Sequence, residues 1–202
     1  CYDIAYMRCI PNMIVSAPMN EAELRNLMYT AQLDSNELPF VIRYPRGEGV
    51  MPEWKTEMQE IKIGTGRKLK DGQDIAILSF GHVGNFAASA IRDVKAEGIN
   101  PAHYDMRFVK PLDEEMLHEV FSKYNKVITI EDGTVVGGFG SAILEFMNEH
   151  GYKADVKIMG IPDRLVEHGT PKQLYDEIGI DANGIADMLR VLSKINVAEL
   201  IK

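Results

Sequence analysis

The chain has 202 residues and a net charge of −8, from 22 basic and 30 acidic residues, which argues against nucleic acid as its main partner because phosphate backbones call for a basic face. Its 46% hydrophobic content suffices for a core, yet no apolar run reaches the roughly 18 residues of a membrane span. Cys1 and Cys9 are its only cysteines, which excludes a disulfide framework and predicts a reducing cytoplasm.

The chain opens at Cys1 without an initiating Met, in ordinary globular sequence, and this predicts a piece of a longer protein. Residues 13–17 read as a short buried strand stopped by Pro18. Asn20 then caps a helix, with Glu23 as its capping-box partner and Leu24, Leu27, Met28 and Ala31 as the apolar stripe. Phe40 to Tyr44 reads as a second buried strand between Pro39 and Pro45. A strand–helix–strand unit this short predicts parallel strands with a right-handed crossover.

Residues 48–73 carry broken signals and read as a linker with an edge strand at Ile61 to Ile63. Gly64-Thr65-Gly66 is no dinucleotide fingerprint, since no helix opens after it and the third glycine is missing. From Asp74 strands and helices alternate: strands at 74–80, 103–108, 126–131 and 155–160, helices at 85–97, 113–124, about 138–150, 171–178 and 184–194. Ala88, Ile91 and Val94 are the expected inner face of the first of these helices. That rhythm predicts an α/β fold with a mostly parallel sheet covered by helices on both faces.

The sharpest chemical signal is Arg43-Tyr44-Pro45-Arg46-Gly47. In α/β sheets, ligands bind in the loops leaving the carboxyl ends of strands. A guanidinium there can pair with two oxygens of a phosphate or carboxylate, and a salt bridge to an acidic neighbour is the alternative. Glu131-Asp132-Gly133 with Gly137-Gly138-Phe139-Gly140-Ser141 reads as an anion site or as a tight loop clearing room for helix packing, the second favoured. Asp113 caps the helix after it, while Arg107 and Lys110 read as charge contacts within the domain or across an interface. His82, His103, His118, His150 and His168 have no metal spacing, although His82 follows a strand end and so has some claim to a cleft. No catalytic group is named by these residues alone.

These stretches, with Tyr6-Met7-Arg8-Cys9-Ile10-Pro11-Asn12-Met13, Asp105 to Asp113, Gly160-Ile161-Pro162-Asp163 and His168-Gly169-Thr170, closely resemble the 1-deoxy-D-xylulose-5-phosphate synthases of the transketolase superfamily, from Asp3 to about Leu192. Glu-Asp-Gly and Gly-Gly-Phe-Gly also look like beta chains of 2-oxo acid dehydrogenases. The Arg-Tyr-Pro-Arg-Gly and Met-Arg-Phe-Val-Lys-Pro-Leu-Asp stretches are more specific to the synthases.

The resemblance implies that residues 1–50 end a parallel-sheet pyrimidine-binding domain, 51–73 are a linker and 74–202 form a transketolase C-terminal domain. It implies thiamine diphosphate and Mg²⁺ in the full-length enzyme, pyruvate and glyceraldehyde 3-phosphate as substrates, and a cytoplasmic homodimer. Arg46 matches the family arginine that helps bind the acceptor's phosphate, with Arg43 and Tyr44 as possible supports. The family's catalytic and metal-binding residues all lie upstream of Cys1, so no cofactor is expected on this piece, which is expected to be inactive and to serve as scaffold and dimer contact. The alternatives are a non-catalytic assembly module or a 2-oxo acid dehydrogenase beta subunit. Arg46 argues against the latter, since a lipoyl arm needs no phosphate clamp. Residues 1–50 would leave open sheet edges where upstream strands pair.

Overall fold

The computed structural model describes residues 1–194, so the end of the expected span 74–202, residues 195–202, lies outside the described residues. The elements, in order, are α1 (Asp3–Arg8), β1 (Ile14–Ser16), α2 (Glu21–Ala31), β2 (Phe40–Ile42), β3 (Arg67–Lys70), β4 (Ile75–Phe80) and α3 (Gly84–Val94). They continue with β5 (Ala102–Asp105), β6 (Phe108–Lys110), α4 (Glu114–Lys123), β7 (Lys126–Thr134), α5 (Phe139–Glu149), β8 (Asp155–Ile161), α6 (Pro171–Ile178) and α7 (Ala182–Lys194).

The larger sheet has five strands in the order β3-β5-β4-β7-β8, parallel except for the β3/β5 pair. Its apolar runs serve two faces at once. Ala76, Leu78 and Phe80 of β4 join Val127 of β7 in a core beneath α4 and α5. Ile75 and Ile77 join Ile128 and Ile130 in a second core beneath α3 and α7. Period-two alternation with apolar residues on both faces is what a strand covered on both sides requires. Phe80 stacks on Phe139 at 5.3 Å between centroids, locking α5 to the sheet.

The smaller sheet has the order β2-β1-β6. β1 and β2 are parallel, as the short crossover requires, but β6 runs antiparallel to β1. The run 103–108 is therefore not one strand. It breaks at Met106-Arg107, where Arg107 takes φ 53°, and its two halves join different sheets. β1 thus has a partner on each side, and the open edge expected for residues 1–50 is confined to β2. With a neighbour on one side only, β2 is half-buried rather than buried, and it ends at Ile42 rather than Tyr44.

Other expectations change too. Ile61–Ile63 is not a strand: Ile61 is buried against Leu27 and Phe108, and its N–H donates to Thr30 Oγ1 at 2.8 Å. The edge strand of the expected linker is β3 instead, and it belongs to the larger sheet. Asn20 caps α2 by accepting from Glu23 N–H at 3.0 Å, but Glu23 does not complete the box. Its carboxylate turns inward to Arg67 and Arg107, so the buried residues of α2 are Glu23, Leu27 and Thr30, while Met28 is exposed. In α3 the buried face runs through Ala87, Ala90, Ile91 and Val94, leaving Ala88 half-buried. α1 has no counterpart in the sequence reading.

Asp113 does more than cap α4. One oxygen accepts from Met116 N–H at 2.9 Å and the other from Gly66 N–H at 2.7 Å, joining the helix to the segment before β3. Asp113→Ala is expected to destabilise the chain by about 2 kcal/mol, combining a lost cap with a lost hydrogen bond, and Asp113→Asn by less; urea unfolding at constant m value checks this.

Candidate functional site

The backbone leaves the smaller sheet just after β2, where Arg43 N–H still donates to Ser16 O at 2.9 Å. Pro45 fixes the direction of the chain, and Gly47, at φ 155°, takes a conformation other residues rarely adopt. Further along, Met51 N–H donates to the Glu21 carboxylate at 3.2 Å, folding the loop back over the start of α2.

This loop forms one wall of a cleft of about 480 Å³. The start of α2 forms its floor, and His82, Phe86 and Tyr175 of the larger-sheet unit form the facing wall. Asn85 ties wall to floor: its amide donates to Met19 O at 2.7 Å and His82 O at 2.9 Å. Such a volume, with mostly apolar walls and a few polar groups, suits a small ligand.

The two arginines of the loop have different fates. Arg43 turns inward, its Nη1 3.0 Å from Asp132 Oδ2 and its Nε 3.2 Å from Asp3 Oδ2, while Nη2 donates to the Asp132 carbonyl. Burial alone would lower the Arg43 pKa, but these carboxylates outweigh it and hold it above its ordinary value. Tyr44 lies in the exposed part of the loop, 61% accessible. Arg46 is exposed on the cleft, and among the described residues no carboxylate pairs with it. Arg43 is thus occupied by the protein, and Arg46 presents its charge to the cleft.

Behind the facing wall, Asp132 Oδ2 also accepts from the Tyr175 hydroxyl at 3.1 Å. Since that hydroxyl has one proton, His82 Nε2, 3.1 Å from the same oxygen, must be the donor of its own contact. His82 therefore carries its proton on Nε2, and among the described residues its buried Nδ1 has no partner. Burial pushes the His82 pKa down, Asp132 opposes this, and Arg43 adds to it. Burial first, and Asp132 second, raise the Tyr175 pKa.

The other candidates settle elsewhere. The helix start after Gly138 does hold a carboxyl group, but it is the protein's own. Fully buried Glu131 accepts from Phe139 N–H and Gly140 N–H at 2.9 Å each. A Cβ on Gly138 would lie 2.3 Å from Glu131 Oε2, so that glycine clears room for the carboxylate. Arg107 forks onto Glu23 at 2.7 and 2.9 Å, and Lys110 caps α1 by donating to Arg8 O and Ile10 O at 3.0 and 2.6 Å. His103 is buried on Ser79 Oγ at 2.9 Å with its pKa pushed down to about 4, burial being the main cause. His118 meets the Tyr152 hydroxyl at 2.8 Å, and His150 the Phe146 carbonyl at 3.0 Å. His168 lies in the exposed loop before α6.

Comparison with known proteins adds the family. Residues 64–185 match the family "Transketolase, C-terminal domain", and residues 1–50 match "Transketolase, pyrimidine binding domain". The chain belongs to the transketolase family. It is 61% identical over 194 residues to the 1-deoxy-D-xylulose-5-phosphate synthase of Cytophaga hutchinsonii, an alignment covering 96% of this chain and 30% of the relative. It is 54% identical to the Parabacteroides distasonis synthase, over 94% of this chain and 30% of that one. The chain thus spans about 30% of the length of these curated relatives. Among solved structures, a split-gene transketolase described as an inactive beta4 tetramer superposes with a TM-score of 0.77 at 30% identity, over 94% of this chain and 60% of that chain.

The sequence pointed to the loop after β2, the resemblance to Arg46 within it, and the strand end gave His82 some claim to a cleft; both side chains line this one. Sequence reasoning missed the Asp132–Arg43 and Asp132–Tyr175 contacts, which span 89 and 43 positions and leave no periodic signal.

Proposed function

We propose that this chain is the C-terminal part of a thiamine-diphosphate-dependent 1-deoxy-D-xylulose-5-phosphate synthase, and that Arg46 binds the phosphate of its acceptor, glyceraldehyde 3-phosphate. The observation that carries the proposal is the difference between the two loop arginines. A guanidinium on a cleft with no carboxylate paired to it among the described residues suits a dianionic phosphate, which it can meet with two parallel hydrogen bonds. The identity to named synthases supports the reaction class: condensation of pyruvate with the aldehyde and loss of carbon dioxide.

Residues 1–50 would close the pyrimidine-binding domain, 51–73 would link it onward while lending β3 to the edge of the larger sheet, and 74–202 would form the C-terminal domain. Among the described residues no group of three or more His, Cys, Asp or Glu side chains could hold a metal ion. The role this proposal gives the chain is acceptor binding, scaffolding and contact within a cytoplasmic homodimer. No helix among the described residues is long and apolar enough to cross a membrane.

The test compares the complete protein with purified residues 1–202, each given pyruvate, glyceraldehyde 3-phosphate, thiamine diphosphate and Mg²⁺. Product is expected from the complete protein and none from residues 1–202. Product from residues 1–202 alone would overturn the scaffold role, and none from the complete protein would overturn the synthase reading.

A further inference from the structure

We infer that Asp132 is a positioning residue for Arg46: it anchors the phosphate-binding loop, through Arg43, to the wall that faces it across the cleft. This rests on the reading of Arg46 given above. Asp132 lies on β7 of the larger sheet, whereas Arg43 and Arg46 follow β2 of the smaller one, so the anchor crosses between the two units. Only Tyr44 and Pro45 separate the anchored arginine from the free one. At about 3.3 Å per residue, with one φ fixed by proline, that tether leaves Arg46 little freedom once Arg43 is held.

Arg43 is held at three points. Nη1 meets the Asp132 carboxylate at 3.0 Å, Nη2 meets the Asp132 carbonyl, and Nε meets Asp3 at 3.2 Å. The side chains of Arg43 and Asp132 are only 16% and 12% exposed, so the pair is weakly screened. Beyond it the loop is exposed from Arg46 to Val50 and is next tied down at Met51. The oxygen of Asp132 that takes Arg43 also takes the Tyr175 hydroxyl at 3.1 Å, and Tyr175 lines the same cleft. One carboxylate therefore fixes both the loop bearing the cation and the aromatic wall opposite, and so the spacing a phosphorylated ligand meets.

The test uses the complete enzyme with glyceraldehyde 3-phosphate and with unphosphorylated glyceraldehyde. Asp132→Asn keeps the volume and removes the charge; Arg43→Lys keeps the charge and removes the fork. Each is expected to raise KM for the phosphorylated acceptor about tenfold, the scale of a displaced binding group, with kcat and the unphosphorylated acceptor little changed. In an Arg46→Ala background the same substitutions are expected to have no further effect on KM, because a residue acting through Arg46 has nothing left to position.

Equal losses with both acceptors, or a loss that persists in the Arg46→Ala background, would make Asp132 merely structural and overturn the inference. So would unchanged kinetics in both variants while Arg46→Ala alone loses the phosphorylated acceptor. If Arg46→Ala leaves acceptor preference intact, the phosphate-binding reading fails, and the inference falls with it. Should Asp132→Asn not fold, Arg43→Lys decides by the same criteria.

Discussion

Glu131→Gln is expected to remove a pH dependence of stability worth about 2–3 kcal/mol between pH 5 and 8. Glu131 is fully buried at the start of α5, and burial pushes its carboxyl up to about 7 from an ordinary 4.5, even though two backbone N–H groups favour the charged form. The folded chain thus holds this proton more tightly than the unfolded chain does. Stability from Glu131 is full below pH 4.5, where both states are protonated, and is lost as pH rises through 7. Buried Asp105, pushed up to about 6 mainly by burial, tilts the curve the same way between roughly pH 4 and 6. Asp105 is common to both proteins, so the wild-type minus Glu131→Gln difference isolates Glu131. Urea unfolding at pH 5 and pH 8 measures it. A wild-type advantage that shrinks by about 2–3 kcal/mol on going to pH 8 is the expected result. Parallel curves would mean that Glu131 keeps its ordinary proton affinity.

What could be read from the sequence depended on how local the cause was. β4 and β7 were legible because apolar runs between turn signals suit strands buried on both faces, although β7 runs on to Thr134, past the expected 126–131. The caps of α2 and α4 were legible because Asn20 and Asp113 act within three residues of themselves. α1 was not, because its end is held by Lys110 from 100 or more positions away and Thr134 N–H donates to Cys1 O. Nor was the break at Arg107: the run through it has strand-forming residues and no glycine, and its positive φ is accompanied by the distant fork onto Glu23. The half-filled capping box failed for the same reason, since Glu23 meets two arginines better than it meets its own helix. Within the candidate site, an anion-binding arginine pair could be proposed from its place after a strand, a local property, and the resemblance singled out Arg46 from it. That Arg43 is neutralised while Arg46 is not follows only from the fold, which brings Asp3 and Asp132 to one and leaves the other on the cleft.

Replacing Arg46 is expected to produce the largest functional effect in this chain, and one confined to the phosphate. A charged hydrogen-bonding pair contributes about 1.5–3 kcal/mol, so Arg46→Ala should lower kcat/KM for glyceraldehyde 3-phosphate by roughly 10- to 150-fold. Glyceraldehyde has no phosphate to lose contact with, so its kcat/KM should stay within about twofold. Arg46→Lys should recover part of the loss, since an ammonium keeps the charge but not the two-pronged geometry. Nothing in the fold requires Arg46: its side chain is exposed and no carboxylate pairs with it among the described residues. The most direct measurement is therefore the ratio of kcat/KM for the two acceptors in the complete enzyme, wild type against Arg46→Ala. A ratio that collapses by tenfold or more through the phosphorylated acceptor alone is the predicted result. Equal losses for both acceptors, or no change in either, would contradict the assignment of Arg46 to the acceptor's phosphate.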